Sequence, residues 1–162
     1  MAHSALDKAN LLATHFAGKM CIPDPERPPP TLPDIVSDKI VLVKTSESEV
    51  KGLLLKVNEN KAVGPDNISP RLLRQCADEL AGPLATLFNH CLQTSTWPKA
   101  WRTSNVVPVH KKGGKSVVKN YRPVSLLSVL SKVLETVVSS RITAHLERHH
   151  LLCAGDARGG QR

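Results

Sequence analysis

Residues 106–135 carry the stretch VVPVHKKGGKSVVKNYRPVSLLSVLSKVLE, on which the fold of the C-terminal half depends. Two β-prone runs, 104–109 and 121–126, flank a Lys-Lys-Gly-Gly-Lys turn, and this order predicts a β-hairpin. No Asp or Glu occurs between Glu79 and Glu135. The hairpin carries five basic residues, which are Lys111, Lys112, Lys115, Lys119 and Arg122. A turn that collects cations in a region without anions is suited to bind phosphate.

A long helix is predicted directly after the hairpin, from Ser128 to about His150. Its apolar residues recur at the spacing of one helix face. They are Leu130, Val133, Leu134, Val137, Val138, Ile142 and Leu146. Because many of them are β-branched, packing rather than helix propensity must hold this helix.

The charge of the chain is concentrated in its last third. The 162 residues have a formal net charge of +8. Residues 1–100 are balanced, whereas residues 101–162 contain 11 Lys or Arg against 3 Asp or Glu. This asymmetry favours a polyanionic partner for the C-terminal part, either nucleic acid or nucleotide, over a membrane surface. The alternative is a basic face that only meets solvent.

Composition predicts a globular, intracellular protein with an aliphatic core. Hydrophobic residues make up 41% of the chain and aromatic residues 3%. The four cysteines show no CxxC spacing, which is typical of reduced thiols inside the cell. The N-terminus has no apolar signal segment, and no apolar run is long enough to span a bilayer. Nothing in the sequence decides between nucleus and cytoplasm.

The N-terminal 45 residues are predicted to be a helix followed by a linker. Ser4 and Asp7 fit a capping box for a helix over 4–20, with an apolar stripe at Leu6, Ala9, Leu12, Phe16 and Met20. Six prolines between Pro23 and Pro33 predict an extended spacer. The expected organisation is a helix (1–20), a Pro-rich linker (21–45), a globular part (46–152) and a disordered tail (153–162).

Turn and cap signals divide the globular part into several helices. Ser46 and Glu49 fit a second capping box, and Ser69 with Pro70 fits a third helix start. In the Gly64-Pro65-Asp66 turn, glycine is expected to supply an unusual φ and Asp66 to bond the backbone beyond it. Gly82-Pro83 is expected to break the helix that begins at Pro70.

Within the hairpin, Lys111 and Arg122 are the strongest candidates for phosphate binding. Lysine supplies a compact charge, and arginine can bond two phosphate oxygens at once. Their positions at the turn and on the return strand make them facing neighbours. Gly113-Gly114 is expected to keep the turn mobile enough to close over a ligand. The alternative is a solvated edge hairpin whose lysines discourage aggregation.

Three blocks together resemble the N-terminal part of the reverse transcriptase of non-LTR, LINE-type, jockey-like retrotransposons. They are KAVGPDNISPRLL from Lys61, PKAWRTSNVVPVHKKGG from Pro98 and KNYRPVSLLSVLSKVLETVVSSRI from Lys119. The similarity extends over about residues 45–152, and the Asn-Tyr-Arg-Pro-Val-Ser-Leu-Leu block is its most specific element.

The resemblance implies the fingers region of a right-hand polymerase. In that family Lys111 and Arg122 are expected to contact the phosphates of the incoming dNTP, and the Lys61–Asp66 loop to lie near template RNA. Further candidates for RNA or DNA contacts are Lys61, Lys112, Lys115, Lys119 and Tyr121. The missing palm of the polymerase is the implied partner, and Mg²⁺ is the implied cofactor of a complete family member.

The sequence departs from this family after Leu152, where a Gln-x-Gly-Phe-Arg-type segment and palm aspartates are expected. CAGDARGGQR stands there instead, as after a frameshift, in a misjoined exon or in a decayed copy. Two-metal nucleotidyl transfer needs paired carboxylates. After Glu79 the chain offers only Glu135, Glu147 and Asp156. We therefore expect no catalytic residue, no cofactor and no polymerase activity in this chain alone.

One further set of residues has the spacing of a metal site. His145, His149 and Cys153 recur every four residues, so they share a helix face. No fourth ligand is evident, and a polar helix end is the simpler interpretation.

The sequence thus predicts a mostly helical α+β fold with one basic hairpin followed by a long helix, as a fingers-like fragment. The predicted function is phosphate or nucleic-acid binding without catalysis. The alternative is a free-standing basic nucleic-acid-binding module. Scarce aromatic residues argue against that alternative, because single-strand binders stack bases on aromatic rings.

Overall fold

The structure, a computed structural model, describes residues 4–20, 26, 28, 31 and 37–152. It contains five α-helices and two β-strands in this part of the chain. They are α1 (Ala5–Met20), α2 (Glu47–Leu55), α3 (Pro70–Gln75), α4 (Ala77–Thr94), β1 (Asn105–His110), β2 (Tyr121–Leu126) and α5 (Val129–Arg148). The prediction of a mostly helical α+β fold is confirmed. Of the predicted Pro-rich linker (21–45), residues 21–25, 27, 29, 30 and 32–36 lie outside the described residues, as does the predicted tail.

The described residues form two compact units. One contains α1 and the hairpin segment 105–125, and the other contains residues 37–104 and 126–152. The hairpin is a two-stranded sheet with β1 beside β2. Short 3₁₀ turns lie at Lys99–Trp101 and Val118–Asn120. No helix in the described part of the chain is long and apolar enough to cross a bilayer.

Helix α1 begins with the predicted capping box. The Ser4 hydroxyl accepts a hydrogen bond from the Asp7 amide at 3.0 Å, and the Asp7 carboxylate accepts one from the Ser4 amide at 3.2 Å. The predicted apolar stripe is only partly realised. Phe16 is buried, but Leu6 and Met20 are exposed. Among the described elements, α1 packs mainly on the 3₁₀ turn at Val118–Asn120, a short element that covers little of a sixteen-residue helix.

The larger unit is built around one aliphatic core beneath α2. Helix α2 packs against α3, α4 and α5. Its residues Val50 and Leu54 are fully buried, and each such side chain contributes about 1.5–3 kcal/mol by leaving water. Two of the few aromatic rings, Phe88 and Trp101, meet edge to face with their centroids 5.7 Å apart. The prediction of a largely aliphatic core is confirmed for this unit.

Polar contacts fix the start of α2 between its neighbours. The backbone N–H and C=O of Thr45 pair with the side-chain amide of Asn89 in α4, both at 2.9 Å. The Glu49 carboxylate accepts hydrogen bonds from Thr45 Oγ1 at 2.9 Å and from Arg141 Nη2 in α5 at 2.7 Å. Ser46 caps the helix through the Glu49 amide, as predicted.

The expectation that Gly82-Pro83 breaks a helix is wrong. Pro83 lies inside α4, and the interruption comes earlier, at Cys76, between α3 and α4. Ala81 before the proline and Leu84 after it are both buried on the same core, so tertiary packing holds the helix through the missing hydrogen bond. Cys91, on the buried face of α4, is 2% exposed and packs as a small core residue.

Helix α5 begins where the sequence indicated, with Ser128 as its N-cap. Its apolar face is buried only in the first half, at Leu130, Val133, Leu134 and Val137. Ile142, which was assigned to the same face, is 44% exposed, so apolar surface remains uncovered along the second half.

Candidate phosphate and nucleic-acid interface

Lys111 and Arg122 lie at the end of the hairpin next to its loop. The Lys111 amide donates to the Asn120 carbonyl at 2.8 Å. One position further into the strands, the rings of His110 and Tyr121 meet with centroids 5.3 Å apart. Lys111 is therefore opposite Asn120, and Arg122 follows Asn120 by two residues. Lys111 directly follows β1 and Arg122 is the second residue of β2, so both cations lie near the loop end of the hairpin.

Both of these cations are free to meet an external anion. Lys111 and Arg122 are exposed, and within the described residues no acidic side chain pairs with either of them. Several cations of the larger unit have such partners. Arg141 is paired with Glu49, and contact with the Asp78 carboxylate raises the pKa of Lys51. Among the described residues, no such ion pair neutralises Lys111 or Arg122.

The loop between the strands is closed by its own hydrogen bonds. The Asn120 side-chain amide donates to the Gly114 carbonyl at 2.9 Å, and the Tyr121 hydroxyl donates to the Lys115 carbonyl at 2.9 Å. Gly113 has φ +82°, and a Cβ at that position would lie 2.7 Å from Asn120 Nδ2. These hydrogen bonds describe one closed conformation of the loop, and the mobility expected from Gly113-Gly114 stays a prediction. Gly113 is required by conformation and by the close approach of Asn120.

The remaining basic residues of the hairpin surround this loop and are all exposed. They are Lys112, Lys115 and Lys119. Tyr121 is half-buried, with its hydroxyl bonded to the loop and its ring against His110. It also lines an open groove of about 470 Å³ with Lys8, Leu11, Leu12, Lys115, Ser116 and Val118. In this position Tyr121 braces the loop, which is a structural role that the sequence did not reveal.

The Lys61–Asp66 loop belongs to the larger unit and docks on the start of α5. A Cβ on Gly64 would lie 2.7 Å from backbone atoms of Leu127 and Ser128. Asp66 bonds the Ile68 amide, as predicted, and also accepts a hydrogen bond from the Ser128 hydroxyl. The residue with positive φ is Asn67, not Gly64. The predicted role of Gly64 was therefore wrong: a close backbone contact requires the glycine.

Lys61, the candidate for template contact, is exposed at the beginning of this loop. The Gly-Pro-Asp motif indicated a turn, but nothing in it pointed to the partner in α5. A contact across 62 residues leaves no local pattern in a single sequence.

Of the three carboxylates that follow Glu79, Glu135 and Glu147 lie on α5, and Asp156 lies outside the described residues. Glu135 accepts a hydrogen bond from Ser131 Oγ at 2.9 Å, and Glu147 lies twelve residues further, about 18 Å along the axis. In the described residues, one group of three potential metal ligands converges: Asp38, His145 and His149. Cys153, which shares the four-residue spacing of the two histidines, lies outside the described residues.

No protein-family model matches the chain. It is 37% identical over 95 residues to the RNA-directed DNA polymerase from mobile element jockey of Drosophila melanogaster, covering 58% of this chain and 10% of that protein. It is 30% identical over 115 residues to the probable RNA-directed DNA polymerase from transposon BS of the same organism. That match covers 70% of this chain and 12% of the transposon protein. A third relative, the probable RNA-directed DNA polymerase from transposon X-element, is 29% identical over 100 residues. That match covers 61% of this chain and 11% of the relative.

These similarities confirm the resemblance that the sequence motifs indicated. The chain is homologous to a segment of the RNA-directed DNA polymerases of jockey-like and other non-LTR retrotransposons. It spans about a tenth of the length of the curated relatives that it matches.

Proposed function

We propose that this homologue of mobile-element RNA-directed DNA polymerases is a fingers-like region whose hairpin binds the phosphates of a dNTP or of RNA and DNA. The observation that carries the proposal is the pair Lys111 and Arg122, both exposed near the loop of the hairpin and without an acidic partner among the described residues. The relatives bear polymerase titles, and they are far longer than this chain. Polymerase activity, substrates and a palm partner therefore enter here as proposals.

Lys111 and Arg122 can bind phosphate oxygens in two different ways. The Lys111 ammonium is a compact charge with three donors, and the Arg122 guanidinium can bond two oxygens of one phosphate. A charge-assisted hydrogen bond of this kind is worth about 1.5–3 kcal/mol. Because the Asn120 and Tyr121 bonds already hold the loop, little ordering is left to oppose binding.

Binding by this hairpin is expected to be electrostatic and insensitive to base sequence. The hydroxyl of Tyr121 bonds the loop and its ring faces His110, so it offers bases little stacking surface. Lys112, Lys115 and Lys119 add positive potential around the pair. Contacts to phosphates release counterions, which makes the affinity fall steeply with salt.

We place Lys61 near the template strand, as the family resemblance implies. In its loop the Asp66 carboxylate is already engaged by Ser128 and by the Ile68 amide. Because the Asp66 carboxylate is occupied by these hydrogen bonds, the exposed Lys61 ammonium is the charged group of the loop that can contact a phosphate.

We further propose that the chain does not polymerise by itself. Complete family members are expected to use Mg²⁺, which needs oxygen ligands. The residues at hand do not fit this requirement: the converging group in the described part contains two imidazoles and one carboxylate. We therefore derive no metal-assisted step. Primer extension with Mg²⁺ should give no incorporation, and reproducible extension would contradict this part of the proposal.

The test of the binding role is fluorescence anisotropy with a labelled primer–template over a range of salt. The Lys111→Ala, Arg122→Ala double variant should lose about tenfold in affinity for each contact removed. Its slope of log affinity against log salt should become shallower by about 1.5.

The matched control is the Lys56→Ala, Arg71→Ala double variant, which removes the same two charge types from exposed positions of the larger unit. It should retain the wild-type slope. If both double variants lost the same affinity for the primer–template, the loss would reflect the lower net charge of the chain. That result would contradict a specific role of the hairpin.

A further inference from the structure

Three side chains with metal-binding atoms converge where α5 ends. His149 lies one helical turn after His145, and the centroids of the two rings are 4.6 Å apart. Asp38, in the irregular segment before α2, approaches them. Its Oδ2 lies 3.2 Å from Nε2 of His149. One ligand atom from each of the three lies within 4.8 Å of the others.

From this geometry we propose that Asp38, His145 and His149 bind a transition-metal ion of the Zn²⁺ class. Imidazole nitrogen is a ligand for Zn²⁺ and similar ions, whereas Mg²⁺ and Ca²⁺ prefer oxygen alone. Two imidazoles and one carboxylate, completed by water, are a known donor set for four-coordinate zinc.

The distances fit such a site after small side-chain rotations. Metal–ligand bonds of 2.0–2.1 Å in a tetrahedron place neighbouring ligand atoms about 3.3 Å apart. The Asp38–His149 pair is already at this separation. The longest separation in the group, 4.8 Å at most, must close by about 1.5 Å. Both rings are half-buried and Asp38 is exposed, so Asp38 can move most easily.

Two neighbouring features affect binding of the ion: Arg148 opposes it, and the dipole of α5 favours it. Arg148 Nη1 lies 3.9 Å from Asp38 Oδ2 and competes with the ion for that carboxylate. The ion would sit at the C-terminal end of α5, where the helix dipole favours a cation. An adjoining open groove of about 380 Å³, lined in part by Asp38, His145 and Arg148, gives the ion access from solvent.

The bound ion would fasten the segment before α2 to the end of α5. Both elements belong to the larger unit. The site is therefore a structural clamp, and it does not depend on phosphate binding by the hairpin.

The experiment is titration of the full chain with ZnCl₂ in a calorimeter, with parallel Co²⁺ absorption spectra. The wild type should bind one equivalent and show a higher midpoint of thermal unfolding. His145→Gln, His149→Gln and Asp38→Asn should each lose at least about tenfold in affinity. Arg148→Gln should bind as tightly or more tightly, because it removes the competitor. His90→Gln, an exposed histidine on α4, is the control and should change nothing.

Several outcomes would overturn the proposal. One is the absence of saturable Zn²⁺ binding by the wild type. Another is affinity that persists in the His145→Gln and His149→Gln variants. A third is binding that is lost in Cys153→Ser but kept in Asp38→Asn, because a thiolate would then be the third ligand. Asp38 lies on an exposed irregular segment, so Asp38→Asn remains informative even where a helix variant fails to fold.

Discussion

Ser128, the N-cap of α5, donates a hydrogen bond to the carboxylate of Asp66, 62 residues earlier in the chain. The Ser128 side chain is fully buried, and its oxygen also accepts a hydrogen bond from the Ser131 amide at 3.4 Å. One hydroxyl therefore caps the long helix and fixes the Gly-Pro-Asp turn against it. This contact positions the loop that carries Lys61.

Removing the Ser128 hydroxyl should destabilise the protein by about 2 kcal/mol. Ser128→Ala loses an N-cap and leaves the Asp66 carboxylate without this donor. A double-mutant cycle with Asp66→Ala should give a coupling energy of about 1–3 kcal/mol in urea unfolding. Ser139→Ala, on the exposed side of the same helix, should change stability by less than about 0.5 kcal/mol. A coupling energy near zero would mean that the contact does not stabilise the fold.

Gly64→Ala should be strongly destabilising, whereas Gly52→Ala should be stabilising. The new methyl group at position 64 would lie 2.7 Å from backbone atoms of Leu127 and Ser128, so the loop must move away from α5. We expect a loss of about 2 kcal/mol or more. At position 52, inside α2, no atom lies within 4 Å, and alanine gains about 0.5–1 kcal/mol of helix propensity. Equal effects in urea unfolding would refute the close-contact explanation.

Neighbouring glycines of the hairpin loop should respond differently to the same substitution. Gly113→Ala places a side chain at φ +82° and against the Asn120 amide. It should cost about 1–2 kcal/mol and speed hydrogen exchange at the Lys111 amide. At Gly114 the nearest atom to a Cβ is 3.8 Å away, so Gly114→Ala should be nearly neutral. Unchanged exchange in Gly113→Ala would show that the loop is not held as described.

Burial raises the pKa of the Cys91 thiol, which makes it slow to react. In the native chain, iodoacetamide should label Cys91 more slowly than the partly exposed Cys76, as measured by mass spectrometry of peptides. The folded state keeps a proton that the unfolded thiol releases above about pH 8.5. This thiol's contribution to the free energy of unfolding therefore falls as the pH rises beyond that value. In the Cys91→Ala variant, the free energy of unfolding should therefore fall less between neutral and alkaline pH than it does in the wild type. An equal fall in both proteins would contradict this prediction.

Features set by local chemistry were predictable from the sequence, and features set by distant contacts were not. The Ser4–Asp7 box and the start of α5 at Ser128 follow from cap patterns within a few residues. The helix through Pro83 could not be predicted, because its stability comes from burial on a core that one sequence does not display.

The candidate sites show the same division. The hairpin that carries Lys111 and Arg122 followed from two β-prone runs around a Gly-Gly turn, and the binding role of the two cations stays a prediction. The approach of Asp38 to His149, 111 residues later, has no local signature. Helical spacing therefore pointed to Cys153 as the third ligand, while the fold brings Asp38 to the two histidines.

The most direct test of the account is an NMR titration of the ¹⁵N-labelled full chain with a dNTP, with EDTA present to keep metal from the Asp38–His149 site. The account predicts saturable shifts that are largest at Lys111, at the loop amides up to Asn120 and at the Arg122 side-chain N–H. These shifts should be absent in the Lys111→Ala, Arg122→Ala variant and retained in Lys56→Ala, Arg71→Ala. Shifts centred elsewhere, or none at millimolar dNTP, would contradict phosphate binding by the hairpin.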